Sequence, residues 1–90
     1  MHAMVANVTI GDFSKAEPGL RDRVVPAAQG APGFVAGYWT RSDDGSNGLA
    51  IVIFESEDQA RAAAEMVRNA PSPDTVTLDN VEVREVAASA

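Results

Sequence analysis

Few side chains in this sequence are of types that do chemistry, and their spacing limits what they can do together. His2 is the only histidine, and imidazole is the ordinary general base and metal ligand near neutral pH. Its place beside the chain start makes a solvated ring the expectation. With no cysteine in the chain, only carboxylates remain to complete a metal site, so no metal and no cofactor are expected. The stretch Asp43-Asp44-Gly45-Ser46-Asn47-Gly48 has the look of a calcium loop, but Gly45 occupies the third ligand position and Phe54 stands where a bidentate Glu is required. It reads as a flexible hairpin loop. No Ser/His/Asp set can be built around one terminal His, and no glycine-rich phosphate loop follows a strand. Glu82 and Glu85 fall on opposite faces of the last strand. Nucleophilic hydrolysis and nucleotide chemistry are unsupported.

What remains is a set suited to binding. Asn7 is a strand amide whose four hydrogen-bonding positions need partners wherever it is buried. Tyr38 and Trp39 are adjacent on an extended segment, so they point to opposite faces. Either ring can stack on an aromatic ligand or fill a core or interface. Arg41 follows them; its type suits orienting an anionic substrate, but its place at the start of the polar loop reads as solvating the hairpin.

The elements that place these residues can be read from periodicity. Met4, Ala6, Val8 and Ile10 alternate with Val5, Asn7 and Thr9, the period of a strand over Met1–Ile10. A helix follows to Gln29, beginning at Ser14 (a capping box with Glu17) or at Glu17 with Pro18 as its first residue. Its buried stripe is read as Leu20, Val24, Ala27 and Ala28, and Pro26 should kink its last turn. Phe34–Thr40 and Leu49–Phe54 form a hairpin across the polar loop Arg41–Gly48. Ser56-Glu57-Asp58-Gln59 caps a second helix that runs to Asn69, with Ala60, Ala63, Ala64 and Val67 as a narrow face of small residues. A proline-bearing loop covers Ala70–Asp74. Val76 and Leu78 then lie in one register and Val81 and Val83 in the other, with a bulge or tight turn at Asp79-Asn80 between a short preliminary strand and the main strand over Val81–Val86. Ala87–Ala90 reads as a frayed tail.

The order βαββαβ specifies a ferredoxin-like α+β domain over residues 1–90, a four-stranded antiparallel sheet with two helices on one face. At 46% hydrophobic and 22% charged residues, the 90-residue chain has the composition of an ordinary globular domain. Thirteen acids against seven bases give a net charge of −6, which repels phosphate backbones and anionic lipid. Nucleic acid and membrane are therefore excluded as partners. The longest apolar run, Leu49–Phe54, is far short of the ~20 residues of a membrane span, and no signal-type segment opens the chain. A cytoplasmic location is expected.

One feature of the pattern asks for a partner. A sheet face open to water alternates with polar residues, yet Leu49-Ala50-Ile51-Val52-Ile53-Phe54 has none. A second copy packed face to face is the simplest cover, with a large ligand or a different partner as the alternatives, so a homodimer joined through the sheet is expected.

The residues Val24-Val25-Pro26, Pro32-Gly33-Phe34 with Tyr38-Trp39 after it, and Phe54-Glu55-Ser56 leading into the Ala-rich helix give the chain a family resemblance. In this order it resembles the dimeric α/β-barrel superfamily, and within it the antibiotic-biosynthesis-monooxygenase-like group. The resemblance implies a pocket between sheet and helices. The group includes cofactor-independent oxygenases of polycyclic phenols and haem-degrading enzymes. In the haem degraders a strand-1 Asn lines the pocket beside a Trp and a haem-ligating His on the second helical segment. Here Gln59–Asn69 contains neither His nor Trp, so haem is not expected. Two functions suit these residues. One is a cofactor-independent monooxygenase acting on a planar phenol or quinol, with Asn7, Tyr38 and Trp39 as substrate-binding residues. The other is a non-enzymatic homodimer that binds a small ligand or serves an interaction.

Overall fold

A computed structural model of the chain describes residues 1–70 and 75–90. The elements run β1 (His2–Ile10), α1 (Phe13–Gly19), a π-helical turn (Leu20–Val24), α2 (Val25–Gln29), β2 (Phe34–Arg41), β3 (Asn47–Phe54), α3 (Glu57–Asn69) and β4 (Val76–Glu85). The strands form one antiparallel sheet in the order β2-β3-β1-β4. This is the expected ferredoxin-like α+β arrangement.

Register decides which residues share a face. Met4 pairs with Val52 and Val83, and Ala6 with Ala50 and Val81; Trp39 lies across from Ala50. These residues face the helices. Met4, Ala6, Val52, Phe54 and Val81 form the core with Ala60 and Ala64 of α3, both with no exposed surface. The two alanines let α3 lie close on the sheet. Ser56 Oγ accepts the Gln59 N–H at 3.3 Å and caps its start. Arg68 near its end donates to the Val81 carbonyl at 3.1 Å, fastening the helix to β4. Before β2 the chain turns at Gly33, whose φ of +79° lies where L residues are strained. A Cβ there would also collide with the Gln59 amide.

The first helical segment departs from its sequence reading in two ways. It starts one residue after Asp12, whose carboxylate accepts both the N–H and the hydroxyl of Ser14. Asp12, in place of Ser14 or Glu17, is thus the cap, and Pro18 is tolerated inside α1. The kink expected at Pro26 takes the form of the π turn just before it, where the Val25 N–H reaches the Leu20 carbonyl. Pro26 donates no N–H, and its ring would crowd the carbonyl four residues back; a wider turn relieves that crowding. The extra residue rotates the stripe. Leu20, Val25 and Ala28 are half-buried, whereas Val24 is 47% exposed and Ala27 is exposed.

The hairpin loop is shorter than read, because Arg41 pairs with Gly48 and Asn47 with Thr9. The last strand is one element instead of a short piece and a main piece. Its phase change is a bulge at Asp79, since Asn7 pairs with Asn80 and Val8 with Leu78. The proline loop read over Ala70–Asp74 falls, from Pro71 to Asp74, outside the described residues.

Candidate functional site

Trp39 stands on the helix-covered face of β2, half-buried and packed against the core. Because α1 and the π turn do not press tightly on this end of the sheet, a cleft of about 270 Å³ lies between them, lined by Phe13, Glu17, Leu20, Arg21, Val25 and Trp39. Its walls are aromatic and aliphatic. Its charged groups are already joined: Arg21 Nη2 donates to Glu17 Oε1 at 2.9 Å. This pair is largely exposed, so it contributes little to stability.

Phe13 also lines a second cleft of about 370 Å³, with Ile10, Asp12, Arg41, Asp43, Asp44 and the turn residues around them. The Arg41 guanidinium stacks on the Phe13 ring, 4.2 Å from its centroid. Two aspartates here are held ionised by local hydrogen bonds. The Ser14 hydroxyl lowers the Asp12 carboxyl below its ordinary value. The backbone N–H and hydroxyl of Ser46, with Ser42, hold Asp44 down at about 2. Three aspartates against one arginine make this second cleft a poor place for an anion.

The other candidates lie elsewhere. Tyr38 points to the uncovered sheet face and is 64% exposed. Asn7 is on that same face, where its Oδ1 accepts the Asn47 Nδ2 amide at 2.9 Å; the Asn47 amide also reaches the Val8 carbonyl. Asn7 and Trp39 are therefore on opposite sides of the sheet, and no single pocket holds both. His2 is less solvated than its position suggests. Its Nδ1 is buried without a partner, and its Nε2 lies 3.7 Å from Glu57 Oε2. It pairs with Phe54, four residues along β1 from the row that carries Trp39, and does not line the cleft. Among the described residues, no three His, Cys, Asp or Glu side chains are grouped to hold a metal.

Phe13, Leu20, Val25, Glu17 and Arg21 do not stand out as cleft residues in the sequence. Two signals point to them in hindsight. Gly11-Asp12-x-Ser14 is a cap that puts Phe13 at the helix start, and Pro26 inside a helix implies the added residue that turns Val25 inward.

No family model matches the sequence, and no curated protein matches it. Solved structures do. A mutant of SnoaB, a cofactor-independent oxygenase from Streptomyces nogalater, superposes with a TM-score of 0.73 at 19% identity, over 98% of this chain and 94% of that one. The two share one fold, a ferredoxin-like α+β domain with the sheet order β2-β3-β1-β4 seen here. A mutant of MhuD with two manganese protoporphyrin IX molecules per active site matches at a TM-score of 0.64 and 18% identity, over 100% of this chain and 98% of that one. The haem degrader MhuD from Mycobacterium tuberculosis, with two haems in its active site, matches at 0.57 and 20%, covering 97% and 98%. At these identities the likeness is one of fold, and fold alone does not carry chemistry.

Proposed function

We propose that this protein is a cofactor-independent monooxygenase that takes a planar phenol or quinol into the Trp39 cleft and works as a homodimer joined through its uncovered sheet face. The observation that carries this reading is the cleft itself. Trp39 and Phe13 supply aromatic surface, Leu20 and Val25 an apolar roof, and one carboxylate–guanidinium pair stands among them. Its volume lies just below the about 300–1,000 Å³ of sites for drug-sized ligands, which suits two fused rings.

The residues do not fit haem. No His lies in α3, the single His2 is outside the cleft, and no Cys or Tyr lines it. The electrons come instead from the substrate's own ring. An ionised phenol is electron-rich enough to pass one electron to O₂. Recombination of the two radicals forms a C–O bond, and loss of water from the hydroperoxide turns a ring C–H carbon into C=O. One oxygen atom ends in the quinone product and the other in water. Glu17 is the carboxylate in the cleft and serves as acceptor for the phenolic proton. Arg21, bonded to it, balances the phenolate charge. Trp39 is the substrate-binding platform. Asn7 and Tyr38 belong to the partner-facing side, where the apolar residues of β3 await cover.

The test is oxygen uptake with a panel of naphthols and naphthohydroquinones. One O₂ consumed per oxygen-inserted quinone formed, with no H₂O₂ released, lost in Trp39→Ala and slowed in Glu17→Gln, supports the reading. Saturable binding with no uptake selects the non-enzymatic ligand-binding homodimer, which the lack of any acid–base residue beyond Glu17 favours. No binding and no uptake across the panel overturns both.

A further inference from the structure

Gly37 stands in the middle of β2, on the covered face and one pleat before Trp39. A glycine inside a strand is costly in chain entropy and buries nothing. No backbone demand explains it, since among the described residues only Gly33 and Gly45 have positive φ. Space explains it. A Cβ at Gly37 would lie 2.6 Å from Cη2 and 2.8 Å from Cζ3 of Trp39, and 3.4 Å from Cε2 of Phe34. Carbon atoms in contact sit about 3.5–4.0 Å apart. The six-membered ring of the indole therefore lies down on the bare Gly37 Cα, pointing back along β2 toward Phe34 and away from Arg41.

We infer that Gly37 is a positioning residue for the cleft: its missing side chain lets the Trp39 indole lie flat on the sheet and keeps the space under Leu20 and Val25 open to a flat, fused-ring ligand. The inference rests on the reading of that cleft as the ring-binding site. A methyl group at position 37 lifts the ring by roughly 1 Å, toward the cleft that Trp39 lines. The pair Gly37–Trp39 thus fixes how thick a ligand the site accepts. Phenylalanine at position 39 lacks the fused ring whose atoms meet the added Cβ, so it should tolerate alanine at 37.

The experiment uses four proteins: wild type, Gly37→Ala, Trp39→Phe and the double variant. The probe is 2-naphthol, followed by its own fluorescence, with urea midpoints measured on each protein. Trp39 emission is recorded for the two proteins that keep the indole. Gly37→Ala should shift the Trp39 emission maximum and weaken naphthol binding tenfold or more. The double variant should bind as tightly as Trp39→Phe alone, with its urea midpoint no lower. A Gly37→Ala protein that fails to fold while the double variant folds supports the inference equally. Unchanged emission and binding in Gly37→Ala, or an equal loss from that change whichever residue occupies position 39, overturns the inference. If wild type itself does not bind naphthol, the functional reading falls. The emission shift and the coupling of the urea midpoints then still decide the role of Gly37.

Discussion

The two faces of the sheet are built from similar residues and meet different fates. On the covered face, Met4, Ala6, Val52, Phe54 and Val81 are sealed by the alanines of α3. On the other, Val5, Ile51 and Ile53 are only half-buried, and Tyr38 is exposed. That second face changes character along its length, from the apolar residues of β3 to Asn7, Asn47 and Asn80 at one end. A strand apolar on both faces, as β3 is, has the composition of one covered on both sides. The covered face is closed tightly under α3 and loosely under the first helical segment, and the cleft lies where closure is loose.

The largest effect should come from the tight side. Phe54 is 1% exposed, and Phe54→Ala should cost about 3–5 kcal/mol by urea denaturation; a cost below about 1 kcal/mol would mean that this face is not the core. Next is Ile51→Asp on the opposite face. If that face is an interface, the change should turn a dimer into monomers at micromolar concentration in sedimentation velocity, through an unpaired buried charge. An unaltered oligomeric state, or a wild type that is already monomeric, would remove the homodimer.

That contrast also sorts what can be read from the sequence. The α3 cap at Ser56 and the stripe Ala60–Ala64 follow from local chemistry and a fixed period of 3.6 residues, and they are legible. So is the slip at Asp79, because a change of phase needs an extra residue or a turn between the two registers, although the pattern does not say that the strand runs on through it. The stripe of the first helical segment is not, since the π turn at Leu20–Val24 breaks the period on which such a reading depends. Adjacency puts Trp39 and Tyr38 on opposite faces, but parity alone does not say which face the helices take. The cleft escapes because it is a failure of packing between distant segments, and no local pattern records it.

Smaller effects sharpen the division. Asn7→Ala removes the hydrogen bond to Asn47 on the uncovered face and should cost about 0.5–1.5 kcal/mol. It should leave naphthol binding in the cleft unchanged, as read by the same fluorescence titration; a loss of binding would carry Asn7 back into the site. The smallest lies in the hairpin loop. Asp44 should titrate at about 2 by NMR, below its ordinary 3.8. Its depressed folded value stabilises the loop above the unfolded pKa, and that contribution is lost as pH falls toward 2. Asp44→Asn should remove this acid-side loss, seen in a stability profile that runs from mildly acidic pH down to the folded pKa of Asp44.

The most direct test uses the single tryptophan of the chain, which stands in the cleft. Titrating 2-naphthol into wild type should quench Trp39 emission saturably, with one site per chain. Leu20→Arg, which fills the cleft, should abolish the quenching, while Tyr38→Ala on the other face should leave it intact. Quenching that survives Leu20→Arg and disappears in Tyr38→Ala would place the ligand on the uncovered face and contradict the account.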